Sequence, residues 1–166
     1  MYTTTYDVSI RAASEQFLPQ WHWLWLKAQL IAESALDPDA VSPAGAQGIA
    51  QFMPPTWGDV RAALRFPPSA TPFEPAYTIK GAAWYLGLLR RQWRSPRSED
   101  DRRKLVQASY NAGLGNLVKA QKRAGGAIAY APVAERLHEI TGADHARETR
   151  DYVARIERIQ RELVGV

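Results

Sequence analysis

Apolar positions along the chain fall mostly at three- and four-residue intervals and seldom alternate, the spacing of helices rather than strands. Leu24, Ala28, Ile31 and Ala35 predict a first helix over about 21–35. It stops near Leu36, because Pro38 pushes Asp37 out of the helical region. A loop rich in Pro, Gly and Ser follows over 37–47. Pro54-Pro55 opens a short helix, since a first-turn proline forfeits no hydrogen bond, and Pro67-Pro68 bounds it. Ala76, Ile79, Ala83 and Leu86 mark a longer helix over 74–93. Ser98 with Asp101 reads as a capping pair for the next helix, which ends near Asn111-Ala112-Gly113. Gly125-Gly126 breaks the chain again, and Tyr152, Ile156, Ile159 and Leu163 stripe a last helix over about 148–164. Nine of the eleven prolines lie in residues 1–75, so short helices and long loops are expected there and longer helices after. The class is mainly α.

At 166 residues the chain suits one domain, and folding at that size buries roughly 70% of the surface an extended chain exposes. Hydrophobic residues at 46% and charged residues at 23% exclude a disordered, collagen-like or membrane-spanning chain. The most apolar stretch, Trp21 to Ala32, contains His22, Lys27 and Gln29 and is too short for a span. No basic n-region and apolar h-region follow Met1, so the expectation is a protein made in the cytoplasm without a signal peptide. The net charge of +4 is uneven: residues 1–83 carry 5 basic and 7 acidic groups, and 84–166 carry 16 and 10. A basic half suits nucleic acid, anionic lipid or an acidic glycan, and charge does not choose among them.

Candidate chemistry narrows the field. His22, His138 and His145 lack zinc-site pairing, and Asp37 and Asp39 lack the Gly and Glu of a calcium loop. There is no cysteine, no P-loop and no nucleotide fingerprint, so no metal and no cofactor are expected. Glu33 is different. It follows Leu26 and Leu30 on one helical face, where a carboxyl is costly unless protonated, paired or turned to a cleft. Desolvation favours the neutral acid, the form a general acid needs. The plainer reading is a helix-end Glu that points to water or meets a nearby donor.

Its company decides between them. Glu33-Ser34, then Ser42-Pro-Ala-Gly-Ala-Gln-Gly-Ile-Ala-Gln-Phe-Met-Pro54, resembles the soluble lytic transglycosylases, relatives of goose-type lysozymes. Ser109-Tyr-Asn-Ala-Gly113, Glu148-Thr-Arg-Asp-Tyr-Val153 and the helix start around Pro75 to Leu86 resemble the same family, in the family's order, over about 21–160. The resemblance implies a lysozyme-like single catalytic domain over 1–166 that cleaves the β-1,4 bond between N-acetylmuramic acid and N-acetylglucosamine in peptidoglycan. It implies Glu33 as acid/base and Ser42, Gln51 and Met53 along the glycan cleft. Tyr110 and Asn111 would sit at the catalytic subsite, Tyr152 would hold Glu33, and Glu148 would touch sugar. Two positions depart from the pattern: Ala50 replaces a common Met, leaving room beside Gln51, and Ser109 replaces a common Ala. Each position also has a plain alternative: turns at Gly45 and Gly48, a loop hydrogen bond for Gln51, core filling for Met53, a helix cap at Asn111, a packing stripe for Tyr152.

Most glycosidases use two carboxylates, and no clear partner for Glu33 stands out: Asp37 is in a loop before proline and Asp59 is in the next helix. The expectation is therefore a single acid/base that yields a 1,6-anhydro product, with a hydrolytic goose-type muramidase or a non-catalytic murein binder as alternatives. The densest positive cluster, Arg90 to Lys104, and the arginines of the last helix are solvated faces or make weak contact with an anionic envelope surface; no nucleic-acid recognition helix is recognisable. The expected partner is the glycan strand, met by a monomer. The setting that fits is a phage endolysin released through a holin to act in the periplasm, with a virion or secretion-associated enzyme as the alternative.

Overall fold

A computed structural model describes residues 2–165 as helices joined by loops, with isolated bridges but no strand among them. The helices are α1 (Asp7–Phe17), α2 (Leu24–Ser34), α3 (Pro54–Ala63), α4 (Pro75–Gln92), α5 (Glu99–Ala112), α6 (Leu114–Arg123), α7 (Tyr130–Arg136), α8 (His138–Thr141) and α9 (Ala143–Val164). The chain forms two compact units, one of residues up to Tyr85 with those from Arg158 on, the other Leu86–Glu157. Among the described residues no helix is long and apolar enough to cross a membrane.

In the first unit α1 packs on α2, and Lys27 Nζ donates to Asp7 Oδ1 at 2.6 Å. The sequence reading passed over α1, whose buried residues are only Ile10, Ala13 and Ser14 and whose start has no side-chain cap. The predicted start of α2 near Trp21 comes too early: residues 18–21 form a turn, closed by the Trp21 N–H on the Leu18 carbonyl, and the helix starts at Leu24. Within α2 every residue from Leu26 to Ala32 is buried, Lys27 and Gln29 included, so the helix is covered nearly all round. Behind the loop that follows, Phe52 and Trp57 have ring centroids 5.8 Å apart, and Phe66 and Tyr77 4.9 Å apart.

In the second unit α6 packs on α5, α7 and α8. Ser98 caps α5 as expected: its Oγ accepts the Asp101 N–H at 3.0 Å and its hydroxyl donates to Asp101 Oδ2 at 2.6 Å. The other oxygen of Asp101 accepts the Tyr130 N–H at 2.8 Å, tying the start of α7 to the start of α5. The Ser98 hydroxyl first, and then the Tyr130 N–H, hold the Asp101 carboxyl below the usual carboxylate range. A lowered folded-state value means the stabilisation is present above the ordinary carboxylate pKa and is lost as pH falls through the lowered one. Ser98→Ala is therefore expected to cost about 1 kcal/mol at neutral pH, with the cost shrinking in acid. Urea titrations of both proteins across the acid range check this.

Much of the positive cluster is paired within this unit. Glu99 accepts from Arg90 at 2.7 and 2.9 Å and from Arg102 at 3.0 Å. Asp100 accepts from Arg103 and Lys104, and Lys104 also meets Glu157 at 3.2 Å. The last helix begins at Ala143, five residues before the expected 148, directly after Gly142 at φ +86°.

Candidate active site

Glu33 lies one residue from the end of α2, half-buried, with Leu26 and Leu30 buried on the preceding turns. The helix ends through two consecutive non-glycine residues in the left-handed region, Ala35 at φ 57° and Leu36 at φ 66°. Such residues cost about 1–2 kcal/mol each and persist where the surroundings fix them; here Leu36 is buried at 3% exposure. Beside Glu33, the Ser34 hydroxyl donates to the Ile49 carbonyl at 2.9 Å. That bond fastens segment 47–52 to the end of the helix that carries the acid. The motif implies no role for Ser34, and the structure supplies one.

The loop is knit from its own backbone. Gln47 and Phe52 exchange N–H to carbonyl bonds at 3.0 and 3.1 Å, and Gly48 donates to the Ala40 carbonyl at 2.8 Å. Gln51, at φ 51°, donates both its amide protons inward, to the Ala40 carbonyl at 3.2 Å and the Gly48 carbonyl at 2.9 Å. Ser42 Oγ accepts the Ala46 N–H at 3.0 Å. Both side chains thus shape the loop, as the plain reading allowed for Gln51 alone, and leave Gln51 Oε1 as that amide's remaining acceptor. Met53 is not core filling, because it is 42% exposed. Ala50 is fully buried, so the departure from Met falls in packing rather than on an open surface. Asp37 is exposed and its Oδ1 accepts the Asp39 N–H at 2.9 Å, and Asp59 is exposed on α3.

In the second unit Tyr110 is half-buried and Asn111 exposed on the last turn of α5. Gly113, at φ +90°, is the residue that ends this helix, so Asn111 is not its cap. The Ser109 departure has a local reason: its buried Oγ accepts the Trp93 indole N–H at 3.0 Å and donates to the Leu105 carbonyl at 2.7 Å. From α9, Thr149 Oγ1 donates to Asn111 Oδ1 at 2.8 Å. A cleft of about 360 Å³ opens there, lined by Asn111, Asn116, Thr141, His145, Glu148 and Thr149. Glu148 is exposed, with His145 Nδ1 at 3.6 Å. Tyr152 lies one turn further along α9, half-buried. The structure therefore brings Asn111 and Glu148 to one cleft, and adds Asn116, Thr141 and Thr149, of which only Thr149 fell within a quoted motif. Among the described residues no three His, Asp or Glu side chains come together as a metal site would require.

Comparison with known proteins identifies the family of the chain. The model of the transglycosylase SLT domain matches residues 14–131, which include Glu33, Gln51 and Asn111 but not Glu148 or Tyr152. Membrane-bound lytic murein transglycosylase F of Serratia proteamaculans is 28% identical over 171 residues, 95% of this chain and 34% of that protein. Its namesake from Shewanella pealeana is 32% identical over 114 residues, 69% of this chain and 22% of the relative. The 70 kDa soluble lytic transglycosylase of Escherichia coli superimposes with a TM-score of 0.76 at 21% identity, covering 99% of this chain and 25% of that one. An inactive variant of the lytic transglycosylase Slt from Pseudomonas aeruginosa gives 0.75 at 23% identity, with the same coverage. At these identities the structural likeness is one of fold. The chain spans about a third or less of the length of these relatives.

Proposed function

The chain belongs to the transglycosylase SLT domain family, and from that premise we propose that it is a peptidoglycan-cleaving lytic transglycosylase, residues 1–166 acting as one catalytic domain. The observation that carries this reading is the half-buried Glu33 at the end of a buried helix, with the loop bearing Ser42, Gln51 and Met53 fastened beside it through Ser34. The names of the murein transglycosylases it resembles support the substrate.

In the proposed reaction, protonated Glu33 gives its proton to the O4 of N-acetylglucosamine as the C1–O4 bond of muramic acid breaks. The muramic 2-acetamido oxygen bonds to C1 and stabilises it as an oxazolinium. Ionised Glu33 then takes the proton of the same sugar's C6 hydroxyl, whose oxygen closes on C1 and releases the acetamide. One group thus serves as acid and then base and returns to its starting state. The substrate supplies the nucleophile, an exception to the two-carboxylate scheme. That suits a site where Asp37 is committed to a turn and Asp59 is exposed on its helix. Gln51 Oε1 and the exposed Met53 contact glycan in this scheme, Ser42 shapes the cleft wall, Tyr110 and Asn111 orient the acetamide, Glu148 touches sugar, and Tyr152 holds the Glu33 rotamer. The proposed workplace is the periplasmic wall, reached through a holin in phage-driven lysis; the relatives' names support the murein part alone. Exposed arginines such as Arg91 and Arg94 would add weak attraction to an anionic envelope, which salt would reduce.

Purified protein on murein sacculi is expected to release muropeptides lighter by one water than hydrolysis products, read by mass spectrometry. Reducing-end muramic acid would instead assign a hydrolase, and sedimentation with sacculi without any release a non-catalytic binder.

A further inference from the structure

Trp21-His-Trp-Leu-Trp25, the densest aromatic run of the chain, has no part in the proposed reaction. Trp23 stands between two clefts of the first unit. One, of about 750 Å³, is lined by Tyr2, Thr4, Asp7, Trp23, Lys27 and Glu162. The other, of about 390 Å³, is lined by Arg11, Ser14, Glu15, Trp21, His22 and Trp23. Both volumes fall in the range of small-molecule sites. Asp7, Arg11 and Glu15 recur every four residues along α1, so they form one stripe, and all three also border a neighbouring hollow of about 370 Å³.

The polar groups here are built in. Lys27 is 3% exposed, with its Nζ on Asp7 Oδ1 at 2.6 Å. The Tyr2 hydroxyl donates to Glu162 at 3.0 Å. The Arg11 guanidinium sits 4.7 Å from the Trp23 ring centroid. Ser14 is 1% exposed, and its hydroxyl has no partner in the protein. We propose that the clefts on either side of Trp23 form a second glycan site, binding β-1,4-linked N-acetylhexosamine chains away from Glu33.

The chemistry selects that occupant. Asp7, Glu15 and Glu162 repel a phosphate backbone or an anionic lipid, while Arg11 and Lys27 beside them deny the clefts to a purely apolar helix. Sugar hydroxyls and acetamides both donate and accept, so they match alternating carboxylates and cations. The C–H face of a pyranose packs on an indole, which is a large apolar surface with a polar edge. Trp23 and Glu33 lie at opposite ends of α2, about 15 Å apart along its axis, so the two sites are distinct. A second hold on a polymer raises the local concentration of strand at the first. The inference rests on the glycan reading of the substrate but not on the role of Glu33.

The test follows the Trp23 indole N–H resonance, assigned with Trp23→Phe, as chitotetraose is added to the whole chain. A saturable shift is expected, in wild type and Glu33→Gln alike. In the Glu33→Gln background, Trp23→Ala is expected to weaken retention on murein sacculi roughly fivefold. Arg11→Ala, an exposed position, should act in the same direction and covers the case in which Trp23→Ala does not fold. A Trp23 resonance unmoved by sugar while sacculi still bind would overturn the second site and spare the proposed function. A shift produced by protein concentration alone would overturn it too, by assigning the face to a second copy. An unchanged lytic rate in Glu33→Gln with the Trp23 shift intact would fault the Glu33 chemistry and leave this site standing.

Discussion

Glu33→Gln is expected to lower glycan release by about three orders of magnitude or more while the protein stays folded. The magnitude follows from the double duty proposed for one side chain. The amide has no proton to give to the departing O4, and it is too weak a base to take the C6 proton afterwards, so both halves of the reaction fail together. The fold is expected to survive because Gln keeps the shape of Glu at a half-buried position one residue from the helix end. Binding to sacculi should persist, since the loop that carries Gln51 and Met53 is fastened through Ser34 and its own backbone. Dye release from labelled sacculi, with a thermal melt alongside, checks both halves. An unchanged rate would remove Glu33 from the chemistry.

Gly48→Ala should be the most damaging substitution in the loop. A Cβ at Gly48 would lie 1.9 Å from the Pro72 carbonyl oxygen and 2.8 Å from its carbon, both backbone atoms with little freedom to give way. The residue also sits at φ +73°, where alanine is strained. The left-handed conformation alone costs about 1–2 kcal/mol. With the overlap added, at least about 3 kcal/mol is expected, which lowers Tm by roughly 6–12 °C for a chain of this size. Gly45 supplies the control: it is also left-handed, at φ +90°, but nothing lies within 4 Å of its Cβ position. Gly45→Ala should therefore cost only the conformational part. Paired calorimetric scans measure the difference, and equal losses for the two variants would show that the approach of Pro72 is not what constrains the loop.

Punctuation was the most legible part of the fold. Pro54-Pro55, the Ser98–Asp101 cap, Gly113 and Gly125-Gly126 each act through local backbone chemistry, and each stands where the sequence placed it. Periodicity was less reliable where burial is not one-sided. The stripe read into α2 included Leu24, which is only half-buried, and Ala35, which is exposed beyond the helix, because a helix buried nearly all round has no stripe to find. Helix α1 escaped for the opposite reason, since it buries little and has no cap. The candidate site divides similarly. Glu33 and its loop were visible as a motif, yet the motif did not say that Ser42 and the amide of Gln51 are occupied by loop backbone. Nor did it give the link from Ser34 to Ile49, or the one from Thr149 to Asn111, because both join residues far apart in the chain.

The central claim is that the C6 hydroxyl, not water, closes on C1 after Glu33 has released the leaving sugar. Digestion of sacculi in heavy-oxygen water, followed by mass spectrometry of the released muropeptides, tests it most directly. Anhydro products free of the label are predicted, and their formation should stop with Glu33→Gln. Muramic acid ends that carry the heavy oxygen would contradict the account.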